Sequence, residues 1–410
     1  MTATRHSERY ERHKVIIVGG GPAGLATGLH LAQVAPALAE DTLILEAKQH
    51  PRPKLCGGGI TAHGDEQLAR LGLQISVPAF TVQQLIFRLG RREFNVPHAH
   101  AMRVIQRSAF DASLAETAAQ RGLKIHTGER LLDLRETSDG YLVKTDCGQY
   151  HATVVVGADG ANSVVRRKLR FASSAGVARL LRVITPVDLD APGQNPLWAT
   201  QGAVFDFSCV QRGIQGYLWD FPAYMDGVPV MNRGIFDSRI APTGQPGPHG
   251  HLKRVFADWL GDRDVDLDAV ELEGHPVRWF SPSAEFARPH VLLAGDAAGV
   301  DALFAEGISY ALEYGAIIAE MICTAFRQND FTFADYRERL IKARLGRLLR
   351  RRAAVAEALY RHRVPPFWTL FWHFAASSPP WMQQFIGESL ALLPPKSALP
   401  ASTEAVVRSG

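Results

Sequence analysis

The residues of this chain that could do chemistry begin with Pro51-Arg52-Pro53-Lys54-Leu55-Cys56-Gly57-Gly58-Gly59. Successive glycines let a backbone pass close to a flat ligand and take positive φ where other residues cannot. A thiol beside such a surface can be a proton donor or a nucleophile. Two more segments, Gly157-Ala158-Asp159-Gly160-Ala161-Asn162-Ser163 and Gly295-Asp296-Ala297-Ala298-Gly299, put an acid on a glycine turn after an apolar run. In Gly216-Tyr217-Leu218-Trp219-Asp220-Phe221-Pro222 the two large aromatics are two residues apart. On a strand that spacing turns Tyr217 and Trp219 to one face, as a candidate aromatic wall.

These groups need elements to position them. Val15-Ile16-Ile17-Val18 is a β-branched run of the buried parallel-strand type. Gly19-Gly20-Gly21-Pro22-Ala23-Gly24 follows it and opens a helix predicted over 21–35, with Pro22 near the first turn. This fits G-x-G-x-x-G: Gly19 for the tight turn, Gly21 for approach of a pyrophosphate, Gly24 for helix–strand packing. Glu46, with Ala47 after it, ends the second predicted strand, where an acid binds a ribose hydroxyl. The acid-bearing turns at Asp159 and Asp296 follow predicted strands 153–156 and 291–294, where doubly wound sheets bind ligands, and they favour FAD over NAD.

Composition sets outer bounds. With 410 residues the chain suits two interlocked domains. Hydrophobic content of 46%, charged content of 21% and a net charge of +4 are those of an ordinary globular protein. Cysteines 56, 147, 209 and 323 are scattered, which argues against a zinc site or disulfide framework and suits a reducing compartment. His98 and His100 lack acidic or cysteine companions, so no metal is expected. The polar, basic start reads as a tail and not a signal segment, and no run of about 20 apolar residues predicts a spanning helix.

The pattern predicts a hairpin over 81–97 turning at Gly90, a helix over 108–120, and short strands at 123–126, 129–135 and 141–145. From 178 to 280 the chain is strand-like, apart from a Pro/Gly-rich loop at 241–251. A long apolar helix follows over 306–327. The fold class is α/β, with a discontinuous Rossmann-type domain, an inserted mixed-sheet (α+β) substrate domain and a C-terminal helical region. The expected boundaries are 13–75, 101–170 and 285–330 for the first, 76–100 and 171–284 for the second, and 331–392 for the third. Tails are expected at 1–12 and 393–410.

Together these motifs resemble flavoproteins of the para-hydroxybenzoate hydroxylase fold, over roughly residues 13–320. The resemblance implies that Asp159 and Gly160 lie near the FAD pyrophosphate and that Asp296, after Gly295, meets the ribityl chain. Arg107, in Arg107-Ser108-Ala109-Phe110-Asp111, matches the arginine that leads the helix beside FAD. Within this class the chain is similar to the geranylgeranyl reductase family. Lys54-Leu55-Cys56-Gly57-Gly58-Gly59 resembles its Lys-x-Cys-Gly-Gly-Gly segment, and Tyr217 to Pro222 its Tyr-x-Trp-x-Phe-Pro strand. Glu306-Gly307-Ile308 matches its third flavin segment. Hydroxylases usually carry a histidine where this chain has Gly299, and flavin halogenases lack the Cys-Gly-Gly-Gly segment. Ala302 and Ala305 depart from the family's frequent proline and glycine, at positions that shape the loop over the flavin.

The resemblance implies an FAD-dependent reductase that saturates double bonds of a polyprenyl chain on a lipid, pigment or quinone precursor. Hydride would come from FAD reduced by NAD(P)H or a small electron carrier. Cys56 is then a candidate proton source, Tyr217 and Trp219 aromatic walls, and Lys54, Gly57 and Gly58 contacts to the flavin. The alternatives are an FAD monooxygenase on a hydrophobic aromatic or polyketide, and a flavin-binding lipid carrier. Residues 337–352 hold eight Lys/Arg and one acid, with Ile341, Leu345 and Leu348 at helical spacing, followed by Pro365-Pro366-Phe367-Trp368, Phe371-Trp372-His373-Phe374 and Trp381. This suits a peripheral membrane contact through 337–381, and equally a solvated basic face with aromatics capping a substrate tunnel. A nucleic-acid role ranks far lower, a cytoplasmic location is expected, and oligomeric state is left open.

Overall fold

The computed structural model describes residues 10–172, 176–190, 195–240, 251–360 and 366–391; the side chains at 99, 100, 366–369, 388, 390 and 391 are outside that description. Most of the expected tail at 1–12, the whole tail at 393–410, most of the 241–251 loop, the His100 side chain and the side chains of the Pro365–Trp368 run therefore lie outside the described residues.

The β-branched run at Val15 sits in the strand Glu11–Val18, paired in parallel with Thr42–Glu46 on one side and Gln149–Gly157 on the other. Val15, Ile16 and Ile17 have no exposed surface, which is why the run is continuously apolar and does not alternate. The strand starts at Glu11, inside the expected tail, because Glu11 and Arg12 pair with Tyr150 and His151. Val291–Leu293 adds in parallel to Gln149–Gly157, and Lys124–Thr127 to Thr42–Glu46. The glycine-opened helix is Pro22–Val34. It packs on Ile308–Gln328, where Gly315 lets the two backbones approach: a Cβ there would lie 2.6 Å from the Ala26 carbonyl carbon. Ile308–Gln328 is long and apolar enough to cross a membrane by length and composition, yet 72% of its apolar window is buried inside the protein.

The second sheet has eight strands, in the order Glu273–Arg278, Val177–Pro186, Val228–Asp237, Gly216–Met225, Gly202–Asp206, Ala79–Leu89, Arg92–Ile105 and Gly59–Thr61. It is mixed, because Gly202–Asp206 pairs in parallel with Ala79–Leu89 while the other neighbours are antiparallel. Its edge departs from the expected boundaries. Gly59–Thr61 and residues 101–105 belong to this sheet and not to the dinucleotide domain. The Ile105 amide donates to the Gly58 carbonyl at 2.9 Å, so the Pro51–Gly59 loop is the crossover from the first sheet to the second.

The basic region is not one amphipathic helix. It is two, Tyr336–Lys342 and Arg344–Tyr360, broken at Ala343, whose backbone is extended. The corner is tight: a Cβ on Gly346 would lie 2.0 Å from the Leu340 carbonyl oxygen. Leu345, Leu349, Arg352 and Ala356 share the buried face of the second helix, so Arg352 does not belong to a solvated basic surface.

Candidate active site

The glycine turn is built as its spacing requires. Gly19 has φ +114, and a Cβ there would lie 2.3 Å from the Ala158 carbonyl oxygen. Glu46 accepts from the amides of Gly20 and Lys48, each at 3.0 Å. It also starts a buried chain of charge. Arg52 lies 3.1 Å from Glu46 and 3.4 Å from Asp111, which has no exposed surface. Arg107 opens the helix Arg107–Gln120 and grips Asp111 one turn on, through Nε at 2.9 Å and Nη2 at 2.8 Å. Burial opposes the Arg107 charge, but Asp111 and the hydrogen-bonded Cys56 sulfur raise its pKa above the ordinary value. Glu46 and the Cys56 thiol are thus the two ends of one electrostatic chain.

The thiol loop is clamped from the opposite side by the second sheet. Asn232 Nδ2 donates to the carbonyls of Cys56 at 3.0 Å and Gly57 at 3.2 Å, while Asn232 Oδ1 accepts from Trp219 Nε1 at 3.1 Å. Arg182 donates to the Cys56 carbonyl at 3.1 Å and pairs with Glu273. Two residues further along that strand, His275 Nε2 lies 2.6 Å from Lys54 Nζ. Burial first, then Lys54 and Arg107, push the His275 pKa down to about 3. Burial also lowers Lys54. His275 is therefore neutral and accepts from Lys54.

Tyr217 and Trp219 are nearly fully buried neighbours, with ring centroids 6.2 Å apart. The Tyr217 hydroxyl donates to the Phe304 carbonyl at 2.7 Å. Burial, then the Asp301 carboxylate, raise its pKa, so it stays a neutral donor. Room for the indole comes from Gly234, where a Cβ would lie 2.1 Å from Trp219 Cζ2.

One cavity of about 1020 Å³ joins the two halves. Its wall includes every residue proposed from the sequence as catalytic or cofactor-binding except Gly24 and Gly295. Those two lie behind it: a Cβ on Gly24 would lie 1.9 Å from the Gly19 carbonyl oxygen, and one on Gly295 would lie 2.8 Å from Ala23 Cβ. Sequence reasoning missed Arg52, Asp111, Asn232, His275 and Arg352. Asp111 carries a legible signal, one helical turn after Arg107, and Arg352 falls on an apolar stripe. The partners of Asn232 and His275 are set by sheet topology. Among the described residues, no group of three or more His, Cys, Asp or Glu side chains could hold a metal ion.

The residues fit a flavin dinucleotide. Asp159 uses Oδ2 to cap Val164 and Val165, at 2.6 and 3.1 Å, leaving buried Oδ1 with no hydrogen-bond partner on the cavity wall. Asp296 stands on the same wall, its pKa raised by burial against the pull of Lys54 and Arg107. Residues 12–218 match the model of the FAD binding domain family. The chain belongs to this family. It is an FAD-dependent oxidoreductase, and its relatives include digeranylgeranylglycerophospholipid reductases. It is 24% identical over 340 residues to digeranylgeranylglycerophospholipid reductase 2 of Methanosphaera stadtmanae, covering 79% of this chain and 81% of that protein. It is 27% identical over 333 residues to menaquinone reductase of Mycolicibacterium smegmatis, covering 76% of each. The fold matches a geranylgeranyl bacteriochlorophyll reductase-like protein of Thermoplasma acidophilum, with TM-score 0.69 and 20% identity over 98% of this chain and 97% of that one.

Proposed function

We propose that this FAD-dependent oxidoreductase saturates carbon–carbon double bonds of a polyprenyl chain carried by a lipid, pigment or quinone precursor. The observation that carries the reading is the shared cavity: the thiol loop stands between the dinucleotide turns and a wall of buried aromatics. Gly19, Gly21, Glu46, Arg107, Asp159 and Asp296 would hold FAD, which when reduced supplies a hydride. NAD(P)H or a small reduced carrier would supply its electrons.

An isolated trisubstituted alkene accepts hydride poorly until it is protonated to a tertiary cation. Cys56 holds a transferable proton at Sγ on the cavity wall, and Arg107 beside it favours the thiolate left behind. The faces of Tyr217 and Trp219 stabilise positive charge on the substrate, and the apolar wall excludes water. The names of the polyprenyl-lipid and quinone reductases among the relatives support this substrate class.

Anaerobic reduction of the holoenzyme followed by addition of a geranylgeranylated glycerophospholipid tests the reading. A mass gain of two hydrogens per double bond is expected. Substrate-stimulated oxygen uptake with a gain of one oxygen atom would replace it with a monooxygenase, and binding without turnover with a carrier.

Access to such a substrate supports a peripheral contact with the cytoplasmic face of a membrane. Leu370 and Phe374 are exposed one helical turn apart on Pro366–Ser377, and Trp381 and Phe385 likewise on Pro380–Ala391. Co-sedimentation with anionic vesicles that is lost in a Trp381→Ser/Phe385→Ser variant is the expected result. Equal sedimentation of both proteins would remove this contact.

A further inference from the structure

We propose that Arg352, contributed by the C-terminal helix Arg344–Tyr360, is a positioning residue of the flavin site. It holds the 301–306 turn in the backbone form that presents Phe304 and Glu306 to the cavity. The inference needs only the FAD site and is independent of the substrate.

Arg352 is buried, and its Nη1 lies 2.5 Å from Asp301 Oδ2 and 2.9 Å from Glu306 Oε2. One guanidinium therefore fastens both ends of the turn. Asp301 passes the constraint inward by accepting from the amides of Leu303 at 2.8 Å and Phe304 at 3.0 Å. Glu306 passes it outward, accepting from Thr61 Oγ1 at 2.6 Å, on the strand that follows the Cys56 loop. The guanidinium also stands 5.5 Å from the centroid of the Phe304 ring, and Phe304 offers its carbonyl to Tyr217. The third flavin segment, the aromatic wall and the thiol loop's exit strand thus share a single cation as their anchor.

The turn needs such an anchor because its backbone is strained. Ala305 sits at φ +54, a region that glycine occupies freely and alanine does not. Two buried carboxylates on one short turn also repel each other unless a cation lies between them. With Arg352 removed, strain and repulsion both favour opening the turn, and Glu306 and Phe304 would leave the cavity wall.

The test uses holoenzyme stripped of flavin and titrated with FAD, read by flavin fluorescence, with far-UV circular dichroism to monitor folding. Arg352→Met should weaken FAD binding more than tenfold with helix content retained, and Arg352→Lys should recover most of the loss. Ala305→Gly should change the wild-type affinity little, yet regain a large part of it in the Arg352→Met background, because glycine takes the turn's φ without strain. Should Arg352→Met fail to fold, Arg352→Gln, which also removes the cation, makes the same comparison with and without Ala305→Gly. Unchanged FAD affinity in Arg352→Met, no rescue by lysine, or an equal effect of Ala305→Gly in both backgrounds would each overturn the proposal.

Discussion

Asn232 holds the carbonyl of Cys56 at 3.0 Å through Nδ2, and the same amide accepts from Trp219 through Oδ1. The aromatic strand and the thiol loop are therefore positioned by one side chain with no exposed surface, 176 residues from Cys56 in sequence. Asn232→Ala leaves the indole N–H and the Gly57 carbonyl without their partner. Losses of about 1–3 kcal/mol for each buried polar group left unpaired set the expected scale of destabilisation. Asn232→Asp should be worse than alanine at neutral pH, because it sets a buried, acceptor-only carboxylate against the two carbonyl oxygens. Urea denaturation midpoints of the three proteins decide the order.

Cys56→Ala separates chemistry from scaffolding. The loop's position depends on the Cys56 backbone carbonyl, which Asn232 and Arg182 hold, so removing the sulfur should leave FAD content intact. Loss of a proton donor should lower turnover of a polyprenyl substrate about 10²–10⁴-fold. Unchanged turnover with full FAD occupancy would take Cys56 out of the mechanism.

Much of this site is legible in the sequence because its parts are local. The glycine turn, the Cys-Gly-Gly-Gly loop and the Tyr217–Trp219 spacing each state a geometry within a few residues. What stays hidden is the set of long-range polar partners. Asn232 and His275 are unremarkable strand residues until strand order brings them to the loop. Arg352 hides among the eight basic residues of 337–352, and only its alignment with Leu345 and Leu349 separates it from its solvated neighbours. Ala305 was legible as a departure from the related pattern, while its left-handed backbone required the structure.

Two glycines of one turn should fail in different ways. A Cβ on Gly24 meets the Gly19 carbonyl oxygen at 1.9 Å, so Gly24→Ala should destabilise the apoprotein itself. A Cβ on Gly21 meets only Arg52 Nη2, at 3.5 Å, an ordinary contact, while Gly21 lines the cavity. Gly21→Ala should therefore keep the thermal midpoint of the apoprotein and weaken FAD binding. Calorimetry of both apoproteins, together with FAD titration, distinguishes the two outcomes.

His275 and Lys54 predict the shape of the stability–pH curve. The folded-state pKa of His275, about 3, lies below its unfolded value of 6.5, so between those values the unfolded chain binds more protons. Stability contributed by neutral His275 is present above that window and falls as pH drops through it. For Lys54 the folded pKa is lowered from 10.5, so stability rises with pH in the interval just below that value. His275→Gln should flatten the acid limb, and Lys54→Met should flatten the alkaline limb and stabilise the protein at neutral pH. Denaturant midpoints measured from pH 4 to 10 test both signs, and an unaltered acid limb in His275→Gln would refute the first.

Asp111 is the residue at which the charge chain from Glu46 to Cys56 can be cut. It has no exposed surface and two arginine partners, Arg107 at 2.8 Å and Arg52 at 3.4 Å. Asp111→Ala takes a carboxylate from two buried cations, and breaking one partner of a buried pair costs about 3–5 kcal/mol. Arg52 still has Glu46, so the larger share should fall on Arg107 and through it on the thiol. Thiol-reagent labelling at one fixed neutral pH should then modify Cys56 at a different rate in Asp111→Asn than in wild type, because an amide there no longer fixes Arg107 beside the sulfur. A double-mutant cycle between Asp111→Asn and Cys56→Ser, read by thermal midpoint, should give a coupling above the 0.5 kcal/mol expected of independent sites. Additive effects would mean that Asp111 and the thiol are held separately.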